Sequence, residues 1–264
     1  MNDLRLNSLY IYPVKSARGL SVMSAEVTER GLRNDRRWLI CDNEGSVLTQ
    51  RQLPILARLQ VSFGKNLVLT FFDSQIKMPL LPGEVEYIKV EVWGDQCNAW
   101  SMGSKAKKWL SKVLGIDSQL VYMPDETYRP VDHGLYSEPN SFADAYPFLI
   151  ISLSSLNALN KRLGAPVNID RFRPNIVIED CEEFAEDGWK VLRIGDVQFE
   201  LVKACARCAV PGIDQISGKR TKGVLEELSE FRRWDGHIWF GKNALARSVG
   251  EIRVGETVEI LELD

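Results

Sequence analysis

The chain has 264 residues, long enough for one large domain or two modest ones, and its 45% hydrophobic and 26% charged content is that of an ordinary globular protein. Lys and Arg number 33 against 36 Asp and Glu, a net charge of −3, which argues against a general nucleic-acid or membrane-surface binder but leaves room for a local basic pocket. The opening residues carry no apolar leader and no stretch approaches the ~20 apolar residues of a membrane span, so a cytoplasmic protein is expected.

Strand-like segments dominate the first hundred residues. Residues 6–14 form the first, and 36–41 the second, with Asp42-Asn-Glu-Gly45 reading as a hairpin turn. Pro13-Val-Lys15-Ser16 ends the first strand, where an ammonium and a hydroxyl can meet a phosphate, although the glycines of a phosphate-binding loop are missing. In the second, strand alternation places Arg36 with Trp38 on one side and Arg37 on the other. One arginine then points into a pocket while the next is solvated or paired with Asp35. Residues 59–63, 67–72 and 88–92 continue the strand pattern. A helix follows, because Ala106, Trp109, Leu110, Val113 and Leu114 recur at helical spacing and Gly115 stops the run. Lys105, Lys107, Lys108 and Lys112 then form a solvated basic face.

Residues 127–145 turn polar, with Pro130, Gly134, Pro139 and Asn140, and read as a linker or mobile loop. A strand at 148–151 leads into a helix that starts at Ser152-Leu-Ser154-Ser and ends at Gly164. Further strands are expected at 175–178, 190–194, 197–202, 251–254 and 257–263. Many short strands with few helices predict a mainly β (α+β), barrel-like architecture rather than a doubly wound sheet. Asp170-Arg-Phe-Arg173-Pro174-Asn175 makes a corner whose Pro174 keeps Arg173 out of helical backbone, presenting a guanidinium and an amide to a ligand or to solvent.

The five cysteines include one close pair, Cys205 and Cys208, in the cationic run Lys203-Ala-Cys205-Ala-Arg207-Cys208. An odd count reads as free thiols rather than a disulfide framework. The pair alone allows three uses. A zinc site would need two more ligands from scattered cysteines and only two histidines. A thioredoxin-like couple needs a helix after the motif, whereas Pro211-Gly212 follows. Two structural thiols are the plain alternative.

Tyr10-Ile-Tyr-Pro-Val-Lys-Ser16, Asp35-Arg-Arg-Trp38, Arg51-Gln52, Phe172-Arg-Pro-Asn-Ile-Val-Ile178 and the cysteine motif occur in this order, and together they resemble the MOSC superfamily. The similarity is to its branch with an N-terminal β-barrel domain, which includes the mitochondrial amidoxime-reducing components. The resemblance implies an N-terminal barrel-like domain over 1–125 and a MOSC barrel over 126–264, with the molybdenum cofactor in the cleft between them. It makes Cys208 the metal ligand and the catalytic residue, with Arg207 and Lys203 keeping its thiolate ionised, and leaves Cys205 as a supporting thiol. Lys15, Ser16 and Arg36 are implied at the pterin phosphate, Arg173, Pro174 and Asn175 beside the cofactor, and Ser152 and Ser154 in its lining. The implied activity is reduction of a small N-hydroxylated or N-oxide substrate.

Electrons would come from a separate ferredoxin-, flavin- or cytochrome-type donor, since the cysteine pattern of a plant-type iron–sulfur domain is missing. No pyridoxal phosphate, haem or iron–sulfur cluster is expected, and no nucleic-acid or membrane partner. The alternative is a non-catalytic carrier of the cofactor or of persulfide sulfur, since MOSC domains also end the cofactor sulfurases. Phe240-Gly-Lys-Asn243 lacks an aromatic residue that some relatives carry, which implies a more polar pocket here.

Overall fold

A computed structural model describes residues 3–264. The expected mainly β architecture is present, with short strands gathered into several sheets and three α-helices among the described residues. The largest sheet has nine strands, and its centre is Phe148–Ser152 between Ile176–Glu179 and His237–Ala246. Phe148–Ser152 and Ile176–Glu179 pair in parallel, which requires a crossover, and helix α2 (Leu153–Arg162) supplies it. The other pairings in this sheet are antiparallel, including Val197–Ala206 against His237–Ala246.

The first strand, Arg5–Ile11, does not stay with the N-terminal sheets. It pairs antiparallel with Ile176–Glu179, and Ser24–Thr28 pairs with Gly250–Arg253. Leu6 and Leu9 therefore pack in one core with Phe148, Ile176 and Phe199. A four-stranded sheet orders Trp38–Cys41, Gln119–Tyr122, Asp95–Ser101 and Tyr87–Val92, and a three-stranded meander covers Gln60–Phe63 to Ser74–Pro79. Helix α1 (Ser104–Leu114) buries Ala106 and Leu110 and leaves its lysines exposed, with Gly115 capping it in the left-handed conformation at φ 70°.

Three expectations are corrected here. The first strand ends at Ile11, and residues 12–18 cross from the large sheet to the four-stranded one, joined there by a parallel bridge between Val14 and Trp38. The second begins at Trp38, so Arg36 precedes it and alternation does not apply. Arg36 and Arg37 diverge because Arg36 takes left-handed backbone at φ 49°. Residues 127–145 are not a free linker. The buried Arg129 guanidinium donates to the carbonyls of Ser141, Ala143 and Asp144 at 3.0, 2.6 and 2.8 Å, and Phe142 is fully buried.

Candidate active site

Three segments far apart in sequence knit together where the first strand leaves the large sheet. Tyr10 N donates to Asn175 O and Arg36 N to Tyr12 O, both at 2.9 Å, while Lys15 N donates to Trp38 O at 2.8 Å. The Tyr12 ring lies between two guanidinium groups, Arg36 and Arg173, each 4.2 Å from its centroid, and its hydroxyl donates to Pro174 O at 2.9 Å. Burial raises the Tyr12 pKa, so the phenol stays neutral between its two cations. Arg36 also donates to Asp35 at 2.5 Å and to Asn175 Oδ1 at 3.1 Å. This pair is no surface salt bridge, since Asp35 is 1% exposed. Arg37 points the other way, to Met123 O and Asp125.

These residues form one wall of a cavity of about 440 Å³, a size ordinary for a cofactor or small-molecule site. Six Lys and Arg side chains line it against one carboxylate, Asp144, although the whole chain is slightly acidic. Lys15 is almost fully buried and donates to Phe142 O at 2.7 Å and to Asp144. Burial lowers its pKa to about 8, with Asp144 acting in the opposite sense. Asp144 also accepts from Trp93 Nε1 at 3.0 Å and from Arg51 at 3.4 Å. Although 57% of its side-chain surface is reachable by solvent, the carboxylate sits among protein atoms that desolvate it. The charge and hydrogen bond of Lys15, with Trp93 and Arg51, outweigh that and hold it well below the usual carboxylate range.

The opposite wall carries the thiols. The Val197–Ala206 strand runs further than its apolar pattern, so Cys205 lies within it and Cys208 in the loop just beyond. A short 3-10 turn at Val210–Gly212 follows, not an α-helix. Arg171, buried under this loop, donates to Thr221 Oγ1 at 2.6 Å, Asp214 at 3.1 Å and Pro211 O at 3.3 Å, fixing the chain after Cys208. The two sulfurs have different neighbours. Arg207 donates to Cys205 Sγ at 3.1 Å and to Phe172 O at 2.7 Å, and Lys203 pairs with Asp132 at 3.1 Å. Arg51 lines the same cavity as Cys208. Burial works against the Arg51 charge, but the Cys208 sulfur and Asp144 outweigh it and raise the pKa.

Lys15, Ser16, Arg36, Arg173, Asn175, Arg207 and Cys208 thus all line one cavity. Pro174 shapes the corner and offers its carbonyl to Tyr12 instead of lining it. Ser152 and Ser154 lie elsewhere. Ser152 is the fully buried N-cap of α2, its Oγ accepting from Ser155 N at 3.0 Å, and Ser154 donates to Cys181 O at 2.6 Å. Their helix-start signal was a cap and nothing more. Trp93 and Asp144 carry no signal in the sequence, and Arg51 enters it only within the Arg51-Gln52 motif, with no role attached. Asp144 sat in a polar stretch and Trp93 in a hairpin turn, with no local pattern to mark either. Asn243 does line the cavity where an aromatic residue is absent, while Phe240 packs on Phe172 at 4.4 Å.

Among the described residues no three His, Cys, Asp or Glu side chains gather as a metal-ligand set. Cys208 and the Arg207-bonded Cys205 are the soft donors in the cavity, and six cations offer neutralisation for an anionic group. That donor set fits a metal whose other ligands arrive on an anionic organic cofactor.

Comparison with known proteins gives a consistent result. A family model described as the MOSC N-terminal beta barrel domain matches residues 3–117, and one described as the MOSC domain matches residues 137–259. The chain is 34% identical to mitochondrial amidoxime-reducing component 1 of Mus musculus over 282 residues, covering 96% of this chain and 81% of that protein. Against the Homo sapiens protein of the same name it is 33% identical, covering 96% and 82%. It is also 33% identical to molybdenum cofactor sulfurase of Oryza sativa subsp. japonica, covering 91% of this chain but 32% of that longer protein.

Proposed function

The chain belongs to the MOSC proteins with an N-terminal MOSC barrel, the family of the mitochondrial amidoxime-reducing components, and we propose that it is a molybdenum-cofactor-dependent reductase of N-hydroxylated or N-oxide compounds. One observation carries this reading. Two half-buried thiols, Cys205 and Cys208, and a set of cations from distant parts of the chain converge on one cavity, as a cofactor with a soft metal and a phosphate requires.

In this reading a domain over 1–125 and one over 126–264 both contribute residues to the cavity. Cys208 binds the metal, Lys15, Ser16 and Arg36 hold the phosphate, and Arg173 and Asn175 fix the cofactor's flank. When bound, the cofactor supplies the two-electron reduction that removes oxygen from nitrogen. The protein's part is to orient that group, balance its charge and admit the substrate. Cys205 lines the same cavity but its sulfur accepts a hydrogen bond from Arg207, which leaves Cys208 as the thiol for the metal. Electrons come from a separate donor protein.

A paired substitution tests this. With a chemical electron donor and an N-hydroxylated substrate, Cys208→Ala abolishes turnover while Cys205→Ala retains it. Turnover surviving in Cys208→Ala contradicts the assignment. The match to a cofactor sulfurase supports a second reading, a carrier of cofactor or persulfide sulfur on Cys208. Loaded protein that donates cofactor to an apo-enzyme yet reduces no N-hydroxylated compound supports that carrier.

A further inference from the structure

Trp93 and Gly94 form the two-residue loop between Tyr87–Val92 and Asp95–Ser101, with Val92 paired to Asp95 across it. Both loop residues are left-handed, at φ 55° and 91°. Such a loop favours Asn-Gly, because asparagine tolerates this backbone and a bulky aromatic residue does not. The strain comes with a placement. The Trp93 indole lines the cavity, donates to Asp144 at 3.0 Å, and lies under the Arg51 guanidinium at 4.2 Å. Arg51 has further restraints: Asp144 holds one guanidinium nitrogen, and Arg220 donates to its carbonyl. Strained backbone that aims a side chain into a cavity points to a role there.

We propose that Trp93 is a positioning residue, whose unfavourable turn is retained because its indole stacks under Arg51 and holds that positive charge in the cavity that Cys208 lines. The strain then serves the thiol end of the cavity and not the hairpin. This deepens the functional reading above, since it concerns the same thiol. Its test needs neither metal nor turnover, so it can fail while the cofactor assignment stands, and the reverse.

The experiment uses the full chain purified without cofactor. Alkylation of Cys208 is followed with neutral iodoacetamide and anionic iodoacetate at one pH. The ratio of the two rates reports the local field, because the ionised fraction of the thiol cancels. Arg207 separates Cys205 from Cys208 in a tryptic digest, so each thiol is read on its own peptide. Arg51→Gln sets the scale and should lower the iodoacetate preference about threefold, as expected from losing one charge at close range in a wet site. Trp93→Asn should lower it nearly as far, with Tm unchanged or raised by about 2 °C as the turn relaxes. Trp93→Phe keeps a ring under the guanidinium and should retain most of the preference. The proposal is overturned if Trp93→Asn leaves the ratio at its wild-type value while Arg51→Gln lowers it. It is equally overturned if Trp93→Asn lowers Tm by more than about 5 °C, which would make the indole a packing element.

Discussion

The two walls of the cavity differ in what they contribute and in how their backbone is built. The wall from residues 12–51 and Trp93 supplies charge, through Lys15, Arg36 and Arg51. Its side chains are aimed by unusual backbone, with Ser16, Arg36 and Trp93 all left-handed. The wall from the Val197–Ala206 strand and the loop after it supplies sulfur, and no residue from Lys203 to Val210 is left-handed. Regular strand continues almost to Cys208, and buried Arg171 braces the loop beyond. A thiol needs one exposed position at a strand end, whereas several cations converging on one anion need corners. Arg173, at φ 56° before Pro174, is where the two designs meet, its guanidinium stacked on Tyr12 from the charged wall.

Four substitutions or conditions test that division, beginning with the largest effect. Cys208→Ala should remove both metal content and turnover while leaving Tm near wild type, because the thiol stands in a loop and not in the core; thermal unfolding and elemental analysis of one preparation check this. Arg36→Met should be the most destabilising change on the charged wall. It leaves Asp35 buried without its cation, at about 3 kcal/mol, and adding Asp35→Asn should recover part of the loss in a denaturant titration.

Gly19→Ala should follow. A methyl there would sit 2.4 Å from the Tyr12 ring, pushing it against the two arginines. A loss of about 1–3 kcal/mol is expected, together with weaker phosphate binding by calorimetry. Wild-type stability with unchanged binding would show that the Tyr12 stack is not what aims the cations.

The smallest effect is in pH. Lys15 loses its proton as pH rises through about 8, so phosphate affinity of the cofactor-free protein should fall above that pH. Asp144→Asn removes the partner that supports the charge, and the fall should then begin at lower pH. For stability the sign is opposite. Because the folded pKa lies below the unfolded value of 10.5, Lys15 releases its proton first in the folded state, and its burial penalty is relieved between about pH 8 and 10.5.

Much of the architecture was legible in the sequence because alternation and apolar runs are local signals. Two of the strands that escaped have weak signals. Ser74–Pro79 buries only Ile76 and Met78, and Asp95–Ser101 turns Cys97, Ala99 and Ser101 inward, residues too small to mark a face. The motifs located most of the charged wall, but not what each cation touches. Arg207 and Lys203 closely precede Cys208 in sequence, yet they serve Cys205 and Asp132. Arg51, 157 positions away, lines the same cavity as Cys208 because the fold brings residues 49–51 to it. Pairings of that span leave no trace in local pattern. Nor does a tryptophan in a turn announce itself, since its backbone is the one such a residue avoids.

The central claim is that both walls serve one molybdenum cofactor, with Cys208 on the metal. It is tested most directly by measuring molybdenum and pterin per chain in wild-type and Cys208→Ala protein from a host that makes the cofactor. Near-equimolar molybdenum and pterin in the wild type, with the metal lost in the variant, is the predicted result. Wild-type protein that carries zinc, or neither molybdenum nor pterin, would contradict it.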